Sequence, residues 1–202
     1  MWDQRYTEAG FAYGSEANDF LKAEYSRIPI GGKVLCLAEG EGRNAVFLAQ
    51  QGYVVTAVDQ SGVGLMKAQR FAAEHGVTIT TVVADLADYD LGHEAWDGIV
   101  SITAHVPAAL RKDLHRQAVN ALKPGGVFIL EAYTEQQLET TGVGGPPASQ
   151  KQLFMSLEEL KTELKGLEFV VGAEVTRYIS EGKYHQGESA VVQVVACKAS
   201  LK

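Results

Sequence analysis

The chain has 202 residues, of which 46% are hydrophobic and 21% charged, a balance that suits one globular domain with a substantial core. Its formal net charge of -7 argues against nucleic-acid binding, which needs a clustered basic surface. No apolar run approaches the roughly 18 residues of a membrane span, and the two cysteines give neither a metal spacing nor a CxxC motif. We therefore expect a cytoplasmic protein, a monomer or weak dimer, without a metal, nucleic-acid or membrane partner.

The first 30 residues form a prefix that precedes the regular pattern, and its first ten residues, MWDQRYTEAG, are polar. Within the prefix, Ser15–Ile28 is predicted to be a helix lying over the edge of the sheet. Residues 31–202 read as one core, since no linker or repeat divides them. We expect a single domain whose helical prefix covers its site.

From residue 31 the chain alternates apolar strands with amphipathic helices. Such alternation implies parallel strands joined by right-handed crossovers. The predicted strands are Lys33–Ala38, Tyr53–Val58, Thr78–Ala84, Asp97–Ile102 and Val127–Ala132. The predicted helices are Arg43–Gln51, Gly62–His75 and a third that begins at Pro107 and ends before Lys123.

The pattern changes after Tyr133. Thr140–Gln150 contains too much glycine and proline for regular structure and is predicted to be a mobile loop. Ser156, with Glu159 three residues later, predicts a capping box and a helix. Glu168–Ile179 and Glu188–Lys198 are predicted to be two β-strands joined by the short segment SEGKYHQG. Because parallel strands need a much longer crossover, this connection permits only antiparallel pairing. The predicted fold is α/β: a Rossmann-like, doubly wound, mostly parallel seven-stranded sheet with a C-terminal antiparallel hairpin.

Polar residues follow the predicted strands at the carboxyl edge of the sheet, where open α/β sheets bind ligands. The first strand is followed by a loop in which Gly40 and Gly42 allow a tight turn and close approach of a ligand. The helix that begins at Arg43 is expected to aim its free amides at that ligand. The spacing of these glycines fits a dinucleotide loop as well as other nucleoside loops.

Two carboxylates narrow the choice of ligand. Asp59, at the end of the second strand, can accept both ribose hydroxyls, or alternatively cap the helix after Ser61. Asp85, at the end of the third strand, can accept a hydrogen bond from the exocyclic amine of adenine, or alternatively cap a turn. A second acid at this place favours a mononucleoside cofactor over a dinucleotide.

Three stretches resemble class I S-adenosylmethionine-dependent methyltransferases: VLCLAEGEGRNAVFLAQQGYVVTAVDQS, VVADL and ALKPGGVFILEAY. The family's usual glycine motif begins with an acid two residues before its first glycine, and here Cys36 and Ala38 occupy those two places. The resemblance implies S-adenosylmethionine as the cofactor. The implied cofactor residues are Ala38, Glu39, Gly40, Gly42, Asn44, Asp59, Gln60, Asp85, Leu86, Thr103 and, from the prefix, Tyr13.

A narrower resemblance concerns the acceptor. WDQRYTEAGFAYGSEANDFL, TAHVPAALR and EGKYHQGESAVVQ resemble the small methyltransferases related to the tellurite-resistance and thiopurine enzymes. This resemblance implies a small-molecule acceptor, for example a thiol or a chalcogen oxyanion. The implied catalytic candidates are His105, Tyr133, Arg177 and His185, with His185 placed in the final hairpin turn.

The alternatives to these roles are ordinary ones. Each histidine could be a solvated loop residue, Tyr6 and Tyr13 could pack in the core, and Arg177 and Arg111 could form surface salt bridges. At the level of the whole protein, an NAD-dependent oxidoreductase and a non-catalytic S-adenosylmethionine-binding protein remain open.

Overall fold

A seven-stranded sheet with the strand order β3-β2-β1-β4-β5-β7-β6 organises the computed structural model, which describes residues 2–200. Strands β3, β2, β1, β4 and β5 are parallel, and β7 runs antiparallel between β5 and β6. The strands are β1 Lys33–Leu37, β2 Val54–Asp59, β3 Thr80–Val83, β4 Trp96–Ile102, β5 Leu122–Tyr133, β6 Leu167–Glu181 and β7 His185–Lys198. The predicted fold class is confirmed.

The helices cover both faces of this sheet. They are α1 Trp2–Tyr6, α2 Asp19–Glu24, α3 Arg43–Gln50, α4 Gly62–Glu74, α5 Ala108–Ala121 and α6 Leu157–Glu163. Strand β1 is apolar from Val34 onward because both of its faces are buried: Val34 and Cys36 pack into the core on one face, and Leu35 and Leu37 into the core on the other. A strand buried on both faces shows no polar alternation.

The prefix does not lie over the edge of the sheet, as the sequence had suggested. Its helix α2 begins after Asn18, whose side chain accepts a hydrogen bond from the backbone of Leu21 at 3.0 Å. Phe20, Leu21 and Ile28 join the core with residues of β1 and β5, and Ile28 packs against Gly98 of β4. The expectation of an edge position is wrong because these apolar side chains are buried over the central strands.

The segment between β5 and α6 is more regular than predicted. It contains two short 3-10 helices, Glu135–Glu139 and Ala148–Leu153. Between them, Val143 and Gln186 form an antiparallel bridge, with backbone N–H to O distances of 2.6 and 2.8 Å. We call residues 144–153 the lid segment. The capping box of Ser156 and Glu159 at the start of α6 is confirmed.

The final hairpin is also tighter than predicted. Its strands pair as far as Glu181 and His185, so that only residues 182–184 form the turn. His185 is therefore the first residue of β7 and is 7% exposed, which corrects its expected position in the turn. The backbone pairing of β6 and β7 continues up to this turn, where Gly182 (φ 66°) allows the chain to reverse direction.

Within residues 2–200, no helix has both the length and the apolar character needed to cross a membrane. The two cysteines are free thiols, Cys36 buried in β1 and Cys197 partly buried in β7. The same described residues contain no group of three histidine, cysteine or acidic side chains that could hold a metal ion.

Candidate functional site

A cavity of about 440 Å³ lies at the carboxyl ends of β1 to β4, within the roughly 300–1,000 Å³ typical of ligand pockets. Its other walls come from the prefix, the lid segment and the first residue of β7. Eleven of the fifteen predicted cofactor and catalytic residues line it: Tyr13, Ala38, Glu39, Asn44, Asp59, Gln60, Asp85, Leu86, Thr103, His105 and His185. Four others among the described residues do not line it: Gly40, Gly42, Tyr133 and Arg177.

The two glycines of the loop after β1 serve packing around the cavity. Gly40 (φ 63°) lies under the ring of Tyr6, where an added Cβ would come within 2.6 Å of the phenol oxygen. Gly42 (φ 89°) lies against Ala68 of α4, where a Cβ would come within 2.5 Å of the Ala68 side chain. Both positions thus require a residue without a side chain, and Tyr6 closes this part of the site.

Glu39 occupies the start of helix α3. Its Oε1 accepts hydrogen bonds from the backbone N–H groups of Asn44 at 3.0 Å and Ala45 at 2.8 Å. Burial raises the pKa of Glu39 to about 7, against the opposing effect of these hydrogen bonds. The expectation that these first amides of α3 face a ligand is therefore wrong, because the protein's own carboxyl group already binds them.

Two residues on the cavity wall have strained backbones. Ala38 (φ 50°) follows β1 and Thr103 (φ 54°) follows β4, so both lie in the left-handed region that disfavours side chains. Such strain costs on the order of 1–3 kcal/mol and concentrates at functional sites. Ala38 stands where the resembled family has glycine. The left-handed backbone at this position is the physical reason that glycine suits it.

The carboxylates after β2 and β3 reach the cavity while also bonding their own loops. Asp59 accepts from the backbone N–H groups of Gly40 at 2.9 Å and Ser61 at 2.8 Å, and burial raises its pKa. Asp85 is exposed to the cavity, and one of its oxygens accepts from the N–H of Ala87 at 2.9 Å. A carboxylate has about four acceptor sites, so these bonds leave capacity for a ligand.

His105 bonds to the backbone through both ring nitrogens. Nδ1 lies 2.8 Å from the carbonyl oxygen of Leu153, and Nε2 accepts from the N–H of Tyr133 at 3.2 Å. These bonds imply a neutral ring with its proton on Nδ1, and burial lowers the pKa of His105 to about 4. His105 thus ties the lid segment to the end of β5, and its lone pair is not free to remove a proton.

His185 and Tyr133 carry buried polar atoms that find no hydrogen-bond partner in the part of the chain described, namely Nδ1 and Oη. The two rings are 5.3 Å apart, and the ring of Tyr13 lies 4.6 Å from that of His185. Tyr133 is sealed by Gly144, where an added Cβ would lie 2.2 Å from its oxygen. Burial raises the pKa of Tyr133 and lowers that of His185, so both rings are kept neutral.

Arg177 and Arg111 are committed to ion pairs. Arg177 binds both oxygens of Glu131 in a forked arrangement, at 2.6 and 3.0 Å. Arg111 pairs with Glu163 at 2.8 Å and also donates to the carbonyl oxygen of Phe154 at 3.0 Å. Arg111 is only 1% exposed, so the expected surface salt bridge is in fact a buried one that supports the end of the lid segment.

Sequence reasoning missed four charged or aromatic residues of the cavity: Trp2, Arg5, Glu41 and Arg43. Trp2 and Arg5 lie on α1, a five-residue helix too short for an apolar repeat to reveal it. The two aromatic residues of this short segment, Trp2 and Tyr6, were the available signal. Glu41 and Arg43 are neutralised by Lys67 and Glu181, respectively.

The remaining charges of the cavity are unevenly distributed. Three carboxyl groups, those of Glu39, Asp59 and Asp85, follow β1, β2 and β3. The histidines lie on the other side, at the ends of β4 and β7. Among the described residues, two arginines line the cavity, Arg5 and Arg43. Arg43 is paired with Glu181, so Arg5 is the arginine whose charge is left for a ligand.

Residues 34–126, a little under half of the chain, match the sequence family described as a methyltransferase domain. The 2-heptyl-1-hydroxyquinolin-4(1H)-one methyltransferase of Mycobacteroides abscessus is 27% identical over 128 residues, which are 61% of this chain and 56% of that protein. The chain thus spans little more than half the length of that relative.

Two solved structures share the fold over almost the whole chain. One, from work on the conversion of a disulfide bond into a thioacetal group during echinomycin biosynthesis, has a TM-score of 0.76 at 18% identity and covers 99% of this chain and 89% of its own. TehB from Haemophilus influenzae has a TM-score of 0.71 at 20% identity, covering 98% of this chain and 65% of its own. At these identities the likeness establishes the fold.

Proposed function

We propose that the chain transfers a methyl group from S-adenosylmethionine to a small-molecule acceptor, because residues 34–126 match a methyltransferase-domain family and the chain shares the fold of TehB. When bound, S-adenosylmethionine supplies an electrophilic methyl group on a positively charged sulfur. The chain's own part is then to bind and orient the two reactants and to keep water away.

The observation that carries this proposal is the capping of α3 by Glu39. A dinucleotide places its anionic pyrophosphate on the first amides of the helix that follows β1. Here the amides of Asn44 and Ala45 already bind a carboxyl group, which would also repel a phosphate. Asp59 and Asp85 give this half of the cavity a negative potential that suits a sulfonium cation.

The residues present fit the proposed cofactor. We assign the ribose hydroxyls to Asp59 and the adenine amine to Asp85, with the backbone of Leu86 beside the ring. Since Oε1 of Glu39 caps α3, we assign its Oε2 to the ammonium group of the cofactor, in place of the acid that Cys36 replaces. Tyr6 covers the loop after β1 from the prefix.

The acceptor is proposed to lie at the other end, beside His105 and His185. His105 positions the lid segment there, as its two backbone bonds indicate. Because its lone pair is occupied, His105 cannot act as a base, and we favour a soft nucleophile that needs little help from one. We propose a thiolate or a chalcogen oxyanion, which also agrees with the narrower sequence resemblance.

Titration calorimetry with S-adenosylmethionine and S-adenosylhomocysteine tests the cofactor. We expect binding of both, and no rise in melting temperature with NAD. A melting temperature raised by NAD alone would favour the oxidoreductase alternative. A screen of small acceptors for release of S-adenosylhomocysteine then tests turnover, and tight cofactor binding without any product would favour the non-catalytic alternative.

A further inference from the structure

Arg5 is held in place on the wall of the cavity by two aromatic rings and one hydrogen bond. Its guanidinium carbon lies 4.5 Å from the ring centre of Tyr184 and 5.3 Å from that of Trp2. Its Nη1 donates a hydrogen bond of 2.7 Å to the phenol oxygen of Tyr13. Cation–π contacts and this bond fix a side chain that is otherwise flexible.

The sheet order establishes the separation of charge. Asp85, Asp59 and Glu39 follow β3, β2 and β1, which are consecutive at one side of the sheet. His185 begins β7, which lies beyond β4 and β5, and Tyr13 contacts His185 at 4.6 Å between ring centres. Arg5, bonded to Tyr13, therefore stands on the β7 side of the cavity.

Most of the hydrogen-bonding capacity of Arg5 is unused within the protein. A guanidinium group has five N–H donors. Across residues 2–200, only the bond to Tyr13 is made, and no carboxylate lies within 4.0 Å of the group. The other charged groups nearby are occupied: Arg43 pairs with Glu181 at 2.7 Å, and Lys183 pairs with Glu8 at 2.8 Å.

Apart from the imidazole of His185, the side chains at this end of the cavity that could accept a proton are already engaged. Both ring nitrogens of His105 bind backbone groups, and Gly144 covers the hydroxyl of Tyr133. The hydroxyl of Tyr13 already accepts from Arg5. An amine or alcohol acceptor must lose a proton on methylation, whereas a monoanionic acceptor has none to lose.

We propose that Arg5 forms an anion subsite and that the methyl acceptor is a small anion. The inference rests on the proposed methyl transfer and names its substrate class. The acceptor's lone pair forms the new bond to the methyl carbon as the carbon–sulfur bond breaks, and the electron pair stays on sulfur. The guanidinium holds the anionic group by charge-assisted hydrogen bonds, and the ring of His185 lines the same cavity.

Binding of benzoate, compared with its uncharged isostere benzamide, tests the subsite independently of turnover. Both are titrated calorimetrically into the protein saturated with S-adenosylhomocysteine. We expect benzoate to bind and benzamide to bind much more weakly. Arg5→Met should weaken benzoate about tenfold or more, and Arg5→Lys less, since one charge-assisted hydrogen bond is worth about 1.5–3 kcal/mol. Lys183→Met, which removes a cation outside the cavity, is the matched control and should leave benzoate binding unchanged.

The second readout is turnover. The rate of methylation of two anionic acceptors, thiophenolate and selenite, is compared with that of two uncharged acceptors, aniline and benzyl alcohol. Methylation of either anion, with a KM raised by Arg5→Met, supports the proposal. Equal binding of benzoate and benzamide, no binding of benzoate, an unchanged benzoate affinity in Arg5→Met, or turnover confined to the uncharged acceptors would overturn it. Failure of the wild type to bind S-adenosylhomocysteine would instead refute the proposed function, and benzoate titrated without cofactor would then decide the subsite.

Discussion

Replacing Glu39 by glutamine should change how the stability of the protein depends on pH. In the unfolded chain this carboxyl group ionises near pH 4.5, and in the folded chain its pKa is raised to about 7 because it is buried. The folded state therefore holds a proton that the unfolded state releases between these values. The resulting contribution to stability is complete below pH 4.5 and is lost as the pH rises through about 7.

The size of the effect follows from the displacement of the pKa. A shift from 4.5 to about 7 corresponds to about 3 kcal/mol between the two protonation states. Glutamine cannot ionise but keeps a carbonyl oxygen that can accept from the amides of Asn44 and Ala45. The variant should therefore gain up to about 3 kcal/mol in unfolding free energy relative to wild type as the pH rises from 4.5 to 7.5.

Urea denaturation of both proteins at pH 4.5, 5.5, 6.5 and 7.5 measures this difference. The difference is the quantity to compare, because His105, with its pKa lowered to about 4, affects both proteins equally and in the opposite direction. Glu39→Ala serves as a control: its curve should run parallel to that of Glu39→Gln but lie about 1 kcal/mol lower, for the lost helix cap. A difference that does not change with pH would refute this reasoning.

Four further changes test other parts of the site. Asp85→Ala should weaken S-adenosylhomocysteine by about 1–3 kcal/mol in calorimetry, if Asp85 holds the adenine amine; an unchanged affinity would assign it to its turn alone. Ala38→Gly should raise the unfolding free energy by up to about 1 kcal/mol, since it relieves a left-handed backbone; a loss in urea denaturation would contradict the strain. Glu181→Gln should lower the unfolding free energy by about 3–5 kcal/mol, because it leaves the buried guanidinium of Arg43 without its charge partner, and a loss below 1 kcal/mol would argue against that pair. His105→Ala should speed hydrogen exchange in the lid segment, whose anchor to Leu153 it removes, and an unchanged rate would mean that the anchor is not needed.

The alternation of apolar and amphipathic segments along the chain predicted the sheet. Strand β1 and helix α3 begin within one residue of their predicted starts, since apolar periodicity and glycine turns are local properties. The capping box at Ser156 was equally local and correctly predicted. By contrast, the position of the prefix was predicted wrongly, because Phe20, Leu21 and Ile28 could pack on any uncovered part of the sheet.

The sequence by itself determined the fold, the rim on which the site lies and the carboxylates that gather there, because all three follow from the order of strands along the chain. The tertiary structure alone decided what each polar atom binds. It showed Glu39 capping α3, His105 tied to two backbone groups, and Arg177 paired with Glu131. It also brought Arg5 to the cavity from a short helix without an apolar pattern. These outcomes depend on distances between residues far apart in the chain, which no local pattern of side chains encodes.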